Sequence, residues 1–141
     1  MTRGVLALSV LTLAACGGDG NGGAGGGGGG DDIQPVTIML EEQNNSGKSG
    51  TAELQPGAAS TDITIELQPP QGDNEAIHIH TGTCDSPGAE VVHDIGFTTA
   101  GLGQGQAFVT LPELTTGEFV LDIHSARNPD EVIMCGAIPE Q

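Results

Sequence analysis

Apolar and polar residues alternate along several short segments of this chain. Between residues 61 and 67, Ile63, Ile65 and Leu67 alternate with polar residues, and a period of two is that of a strand with one buried face. No segment shows the 3.6-residue period of a helix longer than about one turn. The same reasoning predicts further strands at residues 36–40, 50–54, 75–84, 90–95, 106–111, 118–123 and 131–138.

Turn-forming residues separate these predicted strands. Asn, Ser and Gly dominate residues 43–49, and residues 69–74 have the sequence Pro-Pro-Gln-Gly-Asp-Asn. Short strands at near-regular spacing indicate an all-β fold, an antiparallel sandwich or barrel, which we place at residues 33–141. Residues 101–105, Gly-Leu-Gly-Gln-Gly, are predicted to form a turn between two strands.

The first 15 residues have the layout of a secretory signal peptide, with Arg3 followed by an apolar run that is too short to span a bilayer. Residues 13–16, Leu-Ala-Ala-Cys, resemble the lipobox of bacterial lipoproteins, in which the cysteine carries the lipid. The alternative is an ordinary signal peptide with a chance cysteine. We therefore predict a signal peptide at residues 1–15 and lipidation of Cys16, which would anchor the chain to a membrane outside the cytoplasm.

Glycine occupies 11 of the 14 positions from residue 17 to residue 30. Such a segment has almost no apolar area to bury, so residues 16–32 are predicted to be a lipidated cysteine followed by a flexible tether.

The composition excludes one class of partner. The chain has 3 Lys and Arg against 19 Asp and Glu, a formal net charge of -16, and it has neither Trp nor Tyr. Such a surface repels phosphates and offers few rings on which bases can stack, so we expect no nucleic-acid partner.

Histidines supply the candidate chemistry. His78 and His80 are two residues apart in a predicted strand, so their side chains project from the face opposite the core. His124 directly follows the predicted strand 118–123, and its side chain also projects from the face opposite the core, as does that of Asp122. If the two strands are neighbours, three imidazoles converge on one outer patch, and imidazole is a common copper ligand. His93 is a fourth candidate, or a surface histidine; the other three are alternatively exposed strand residues without a ligand.

Two cysteines remain if Cys16 is lipidated. Cys84 and Cys135 are predicted to form a disulfide, because an exported chain lies where disulfides persist. The alternative is a pair of thiolate metal ligands.

The order of these residues resembles copper/zinc superoxide dismutases: a His-x-His pair at His78 and His80, then Cys84, a late-strand His124, and Cys135 followed by Gly-Ala-Ile. Residues 117–129 also resemble the end of a CHRD domain, the module found in chordin and in many exported bacterial proteins.

The resemblance implies a Greek-key β-sandwich with copper at His78, His80 and His124, and with His93 as the additional candidate. No histidine lies between His93 and His124, so the zinc subsite of the dismutases cannot be filled as they fill it, and we expect no zinc. The dismutases also have an arginine shortly before the second cysteine, whereas here the nearest is Arg127.

These observations favour an exported, lipid-anchored, monomeric module that binds copper, rather than an enzyme. The alternatives are a copper-only superoxide dismutase and a metal-free structural or interaction domain. The acidic surface disfavours an anionic substrate such as superoxide.

Overall fold

A computed structural model describes residues 33–70 and 74–141, and in these ranges the chain forms eight antiparallel strands and one short helix. The all-β prediction is therefore confirmed. The elements, in chain order, are β1 (Val36–Glu42), β2 (Ser49–Pro56), β3 (Thr61–Gln68), β4 (Ala76–Thr83), β5 (Ser86–Thr99), β6 (Leu102–Ala107), α1 (Leu111–Leu114), β7 (Phe119–His124) and β8 (Val132–Ile138).

The strands close into a barrel in the order β1-β2-β3-β6-β5-β4-β7-β8. Most neighbouring strands share long ladders, but two seams are short. At one seam, β5 meets β6 through two residue pairs, and at the other, β1 meets β8 through two pairs. A ladder of five residue pairs joins β4 to β7, which are far apart in sequence but adjacent in space.

The core is made of aliphatic side chains from the inward faces of the strands. In β3, Ile63, Ile65 and Leu67 are buried while the alternate Asp62 and Glu66 are exposed, as the period-two pattern predicts. The remaining buried aliphatic residues include Val36, Ile38, Leu40, Leu54, Ile77, Ile79, Leu121 and Ile123.

The boundaries predicted between residues 101 and 111 are wrong. Residues 102–107 form β6 instead of a turn, and residues 111–114 form α1 instead of the end of a strand. The glycines are there because the neighbours are close: a Cβ at Gly105 would lie 2.0 Å from the main-chain oxygen of Ile95, and one at Gly103 would lie 2.6 Å from Cδ1 of Ile77. Close approach of a neighbouring chain is a reason for glycine inside a strand.

The predicted signal peptide, the lipidation of Cys16 and the glycine-rich tether fall at residues 1–32, outside the described residues. Within the described part of the chain, no helix is long and apolar enough to cross a membrane.

Candidate metal centre

The ladder between β4 and β7 brings the candidate residues together. His78 is directly opposite Asp122, and His80 is directly opposite Val120. Because opposite residues of an antiparallel pair project from the same face, both histidines of β4 share a face with Asp122. His124 is two residues further along β7 on that face. The strand pairing alone therefore gathers three imidazoles and one carboxylate.

The side chains of this group are close enough to share one ion. One ligand atom from each of His78, His80, Asp122 and His124 lies within 4.8 Å of every other. Donors on opposite sides of a metal ion with bonds of about 2.0 Å are about 4 Å apart, so small side-chain rotations would bring all four atoms into range. The imidazole rings are also neighbours: the centroids of His78 and His124 are 4.8 Å apart.

The group is less exposed than a patch on the outside of a sheet. His80 is 6% exposed, His124 9% and Asp122 1%, and His78 is half-buried. A cleft of about 400 Å³ leads to them, and its other walls are Pro87, Gly88, Ala89, Val91, Pro129, Asp130 and Val132. The first half of β5 and the loop between β7 and β8 therefore cover the face that the sequence pattern placed in solvent.

The covering loop is fixed by its own hydrogen bonds. The main-chain N–H of Ser125 donates to the carbonyl of Glu131 at 2.8 Å, and Glu131 N–H donates to Asn128 at 2.9 Å. The Ser125 hydroxyl also accepts from the N–H of Arg127 and from that of Asn128. These contacts hold Pro129 and Asp130 over the histidines.

Three imidazole nitrogens in this group are buried and have no partner at hydrogen-bond geometry. They are His78 Nδ1, His80 Nε2 and His124 Nδ1, one from each ring. Buried polar atoms are nearly always satisfied in folded proteins, so three orphans in one place need an explanation.

In His80 and His124, the second ring nitrogen makes a hydrogen bond, and this bond places the lone pair of the neutral ring on the unpartnered nitrogen. His80 Nδ1 lies 2.8 Å from the carbonyl oxygen of Gly88, which only accepts, so Nδ1 carries the proton and the neutral ring has its lone pair on Nε2. His124 Nε2 lies 3.2 Å from Oδ1 of Asp122, so in the neutral ring the lone pair is on Nδ1. Metal-binding histidines are held by the same kind of contact at their second nitrogen.

The pKa values of His78 and His124 are shifted in opposite directions. Burial lowers the pKa of His78, and the nearby His124 adds to the effect. The hydrogen bond to Asp122 raises the pKa of His124, burial opposes that rise, and the main-chain carbonyl of Pro129 adds to it. His78 is therefore neutral at neutral pH, and His124 holds a proton more readily than His78 does.

His93 is not part of the group of four. It is opposite Ile79 in the ladder between β4 and β5, so it shares a face with a core residue instead of with His78 and His80. Register shifts on both sides of this pair mark an irregular stretch of β5, and strand pattern alone does not fix the path of such a stretch.

Asp122 was identified from the sequence as a neighbour of His124 but not as a candidate ligand. The signal was its position two residues before His124, on the same face of the strand. Oδ1 of Asp122 is 3.2 Å from Nε2 of His124 and 3.6 Å from Nε2 of His80. It therefore lies between two of the imidazoles.

Cys84 and Cys135 form a disulfide with an S–S distance of 2.05 Å. The bond joins the turn after β4 to β8, across β7, and Cys135 is directly opposite Asp122 in the ladder. A disulfide is consistent with an oxidising compartment outside the cytoplasm.

Lys48 and Arg127, the two basic residues of the described ranges, lie in a different cleft. This second cleft, of about 530 Å³, is lined by both of them and by Glu75, Glu131 and several polar residues. Lys48 forms an ion pair with the buried carboxylate of Glu75. Of the residues that line the cleft above the histidines, none is a Lys or an Arg, whereas Asp122 and Asp130 are acidic.

Comparisons with known proteins leave the chain without a match: no family model, no curated protein and no solved structure matches it.

Proposed function

We propose that this protein is an exported, lipid-anchored β-module that binds copper through His78, His80 and His124. The observation that carries the proposal is the set of three buried, unpartnered imidazole nitrogens, each from a different ring, in a group whose ligand atoms lie within 4.8 Å of one another and include a carboxylate. Imidazole is a good ligand for copper, and a bound ion would satisfy all three nitrogens at once. Storage, protection or handover of the ion are the roles that such a site supports.

The geometry favours this role over a metal-free structural role. Histidines that serve only as structural residues are expected to spend both nitrogens on main-chain or side-chain partners. Here each ring has one buried nitrogen without a partner at hydrogen-bond geometry, and all three rings belong to the same group. A buried polar atom that is left unsatisfied costs about 1–3 kcal/mol, and one bound ion would satisfy all three nitrogens.

The electrostatics favour binding over superoxide dismutation. A dismutase gains from positive charge along the approach of its anionic substrate, because steering raises association rates by about 10- to 1000-fold. Lys48 and Arg127 line the other cleft, and the cleft above the histidines carries Asp122 and Asp130. When bound, copper would supply redox chemistry at this position, but the surrounding charge does not attract superoxide.

The strand order supports the finer parts of the fold proposal. In the barrel, β4, β5 and β6 are adjacent in sequence order, β7 lies beside β4, and β3 lies beside β6. In a Greek key, the chain forms three consecutive neighbouring strands and a fourth strand that returns to lie beside the first, and this order has that pattern. The two short seams divide the barrel into two facing halves, which is the layout expected of a flattened, sandwich-like barrel. On this basis, and on the order of histidines and cysteines along the chain, we propose a CHRD-like relative of the dismutase architecture.

The lipid anchor at Cys16 belongs to the same proposal. Its support is the apolar leader and the Leu-Ala-Ala-Cys motif in the sequence, together with the disulfide, which suits a chain outside the cytoplasm. Growth with a labelled fatty acid tests this directly: label is expected on the wild-type chain and is expected to be absent from Cys16→Ser.

Titration of Cu(II) into the full chain tests the binding role. We expect one ion per chain, an affinity lower by about 10- to 100-fold in His80→Ala, and an unchanged affinity in His93→Ala, the matched control. The copper-loaded protein is expected to show no turnover of superoxide. Equal and weak binding by all three proteins would contradict the proposal, and rapid superoxide removal lost in His80→Ala would favour the enzyme.

A further inference from the structure

We infer that Asp122 is a fourth donor and makes the site selective for divalent ions over Cu(I). This inference rests on the proposed function, because it concerns the ligand set and the metal preference of the same site. It is carried by the position, burial and surroundings of one carboxylate.

The position of Asp122 is that of a ligand. Its carboxylate belongs to the group of four atoms that lie within 4.8 Å of one another, and the β4–β7 ladder fixes it opposite His78. Its Oδ1 is near Nε2 of both His80 and His124, at 3.6 and 3.2 Å. Because Oδ1 accepts the hydrogen bond from His124 Nε2, the carboxylate would meet the ion beside His80 Nε2, one of the three buried nitrogens without a hydrogen bond.

Because Asp122 is buried, its negative charge requires a positively charged partner. The residue is 1% exposed, and a buried carboxylate requires a positive partner or a metal ion. Among the residues that line this cleft there is no Lys or Arg, so the described residues offer Asp122 only imidazoles. A doubly charged ion gains twice the Coulomb energy of a singly charged ion at the same distance from the carboxylate.

The types of donor atom in the group also favour divalent ions over Cu(I). Cu(I) is selected by soft sulfur ligands, whereas imidazole and carboxylate suit Cu(II) and Zn(II). No cysteine or methionine lines the cleft among the described residues, and both Cys84 and Cys135 are consumed by the disulfide. Three imidazoles and one carboxylate thus make a set that fits divalent ions.

The same donor set also suits zinc. The expectation of no zinc rests on the dismutases' separate zinc subsite, which this chain cannot fill because no histidine lies between His93 and His124. Asp122 supplies the fourth donor, and three nitrogens with one oxygen are a ligand set that zinc accepts. The inference therefore includes Zn(II) among the ions that the site holds.

Competition titrations with Cu(II), Zn(II) and Cu(I) on the full chain test the inference, with the wild type compared with Asp122→Asn. The asparagine keeps the size of the side chain and removes its charge. We expect Asp122→Asn to lose about 10- to 100-fold in affinity for Cu(II) and Zn(II), and less than about tenfold for Cu(I). Asp62→Asn is the matched control, because Asp62 is an exposed carboxylate of β3 outside the group of four, and we expect it to bind all three ions as the wild type does.

Two results would overturn the inference. One is equal loss of affinity for Cu(I) and for the divalent ions in Asp122→Asn, and the other is unchanged affinity for the divalent ions. If the wild type binds divalent ions and either result is found, only the inference fails; if the wild type binds no ion, the proposed function fails with it.

A second measurement covers the case in which Asp122→Asn does not fold. The carboxyl carbon resonances of wild-type protein labelled with 13C-aspartate are followed during addition of Zn(II). We expect the resonance of Asp122 to shift in proportion to bound ion while that of the exposed Asp62 in β3 stays in place. A resonance of Asp122 that does not respond to one equivalent of bound Zn(II) would overturn its role as a donor.

Discussion

Removal of the disulfide is expected to lower the stability of the fold while it leaves the geometry of the proposed copper site almost unchanged. The bond between Cys84 and Cys135 closes a segment with a sequence separation of 51 residues. In the loop-entropy account, a closed segment of that length stabilises the fold by about 4 kcal/mol, mainly by restricting the unfolded chain. Domains of this size have total stabilities of about 5–15 kcal/mol, so the loss would be a large part of the total.

The same change is expected to leave the metal site almost intact. The histidines are positioned by the five residue pairs between β4 and β7, from Ile77–Ile123 to Thr81–Phe119, and not by the disulfide. A bond that acts on the unfolded state changes how much protein is folded and has little effect on the folded structure.

The double variant Cys84→Ser/Cys135→Ser is compared with the wild type by urea unfolding and by Cu(II) titration, both at a temperature where each protein is folded. We expect a decrease of about 4 kcal/mol in the free energy of unfolding and a change in copper affinity of less than about tenfold. A stability loss below about 1 kcal/mol would refute the loop-closure reasoning. A folded variant with a much larger loss of affinity would show that the disulfide positions the histidines.

Three further predictions concern the packing of β6, the ion pair of Lys48 and the pH dependence of the metal-free site. Gly105→Ala places a Cβ 2.0 Å from a main-chain oxygen of β5, so urea unfolding should show a loss of about 1–3 kcal/mol or more, whereas Ser86→Ala at an exposed strand end should be nearly neutral. Lys48→Met leaves the buried carboxylate of Glu75 without its ion pair and should cost about 1–3 kcal/mol, and Lys48→Met/Glu75→Gln should recover part of that loss in a double-mutant cycle. The hydrogen bond to Asp122 raises the pKa of His124, so in metal-free protein this pair adds stability that is present below about pH 6.5 and is lost as the pH rises through the folded-state pKa. The deficit of His124→Gln in unfolding free energy should therefore be larger at about pH 5.5 than at about pH 8.5, and an equal deficit at both would contradict the assignment.

Much of the fold follows from local pattern. The alternation in β3 and the clear faces of β4 and β7 predict which side chains enter the core, because the period of a strand leaves one choice of inward face once the apolar set is known. The glycines of β6 could not be interpreted in the same way. Gly103 and Gly105 are explained by the close approach of Ile77 and Ile95, and such contacts exist only after the strands have been arranged in space.

The site was predictable to a similar extent. The shared outward direction of His78, His80 and His124 follows from spacing, and their meeting required only that β4 and β7 be neighbours, which the structure provides. The burial of the group did not follow from the sequence, because the cover comes from Pro87 to Val91 and from the loop after β7. The sequence did not indicate Asp122 as a candidate ligand, because an acidic residue in a chain with 19 Asp and Glu carries little information until its burial is known.

The whole proposal depends on three imidazoles binding one ion, and electron paramagnetic resonance of the full chain loaded with one equivalent of Cu(II) counts them through their nitrogen couplings. We expect three coupled imidazole nitrogens in the wild type, two after His124→Ala, and three still after His93→Ala. A wild-type spectrum with fewer than three imidazole nitrogens, or one that changes when His93 is replaced, would contradict the proposed copper site.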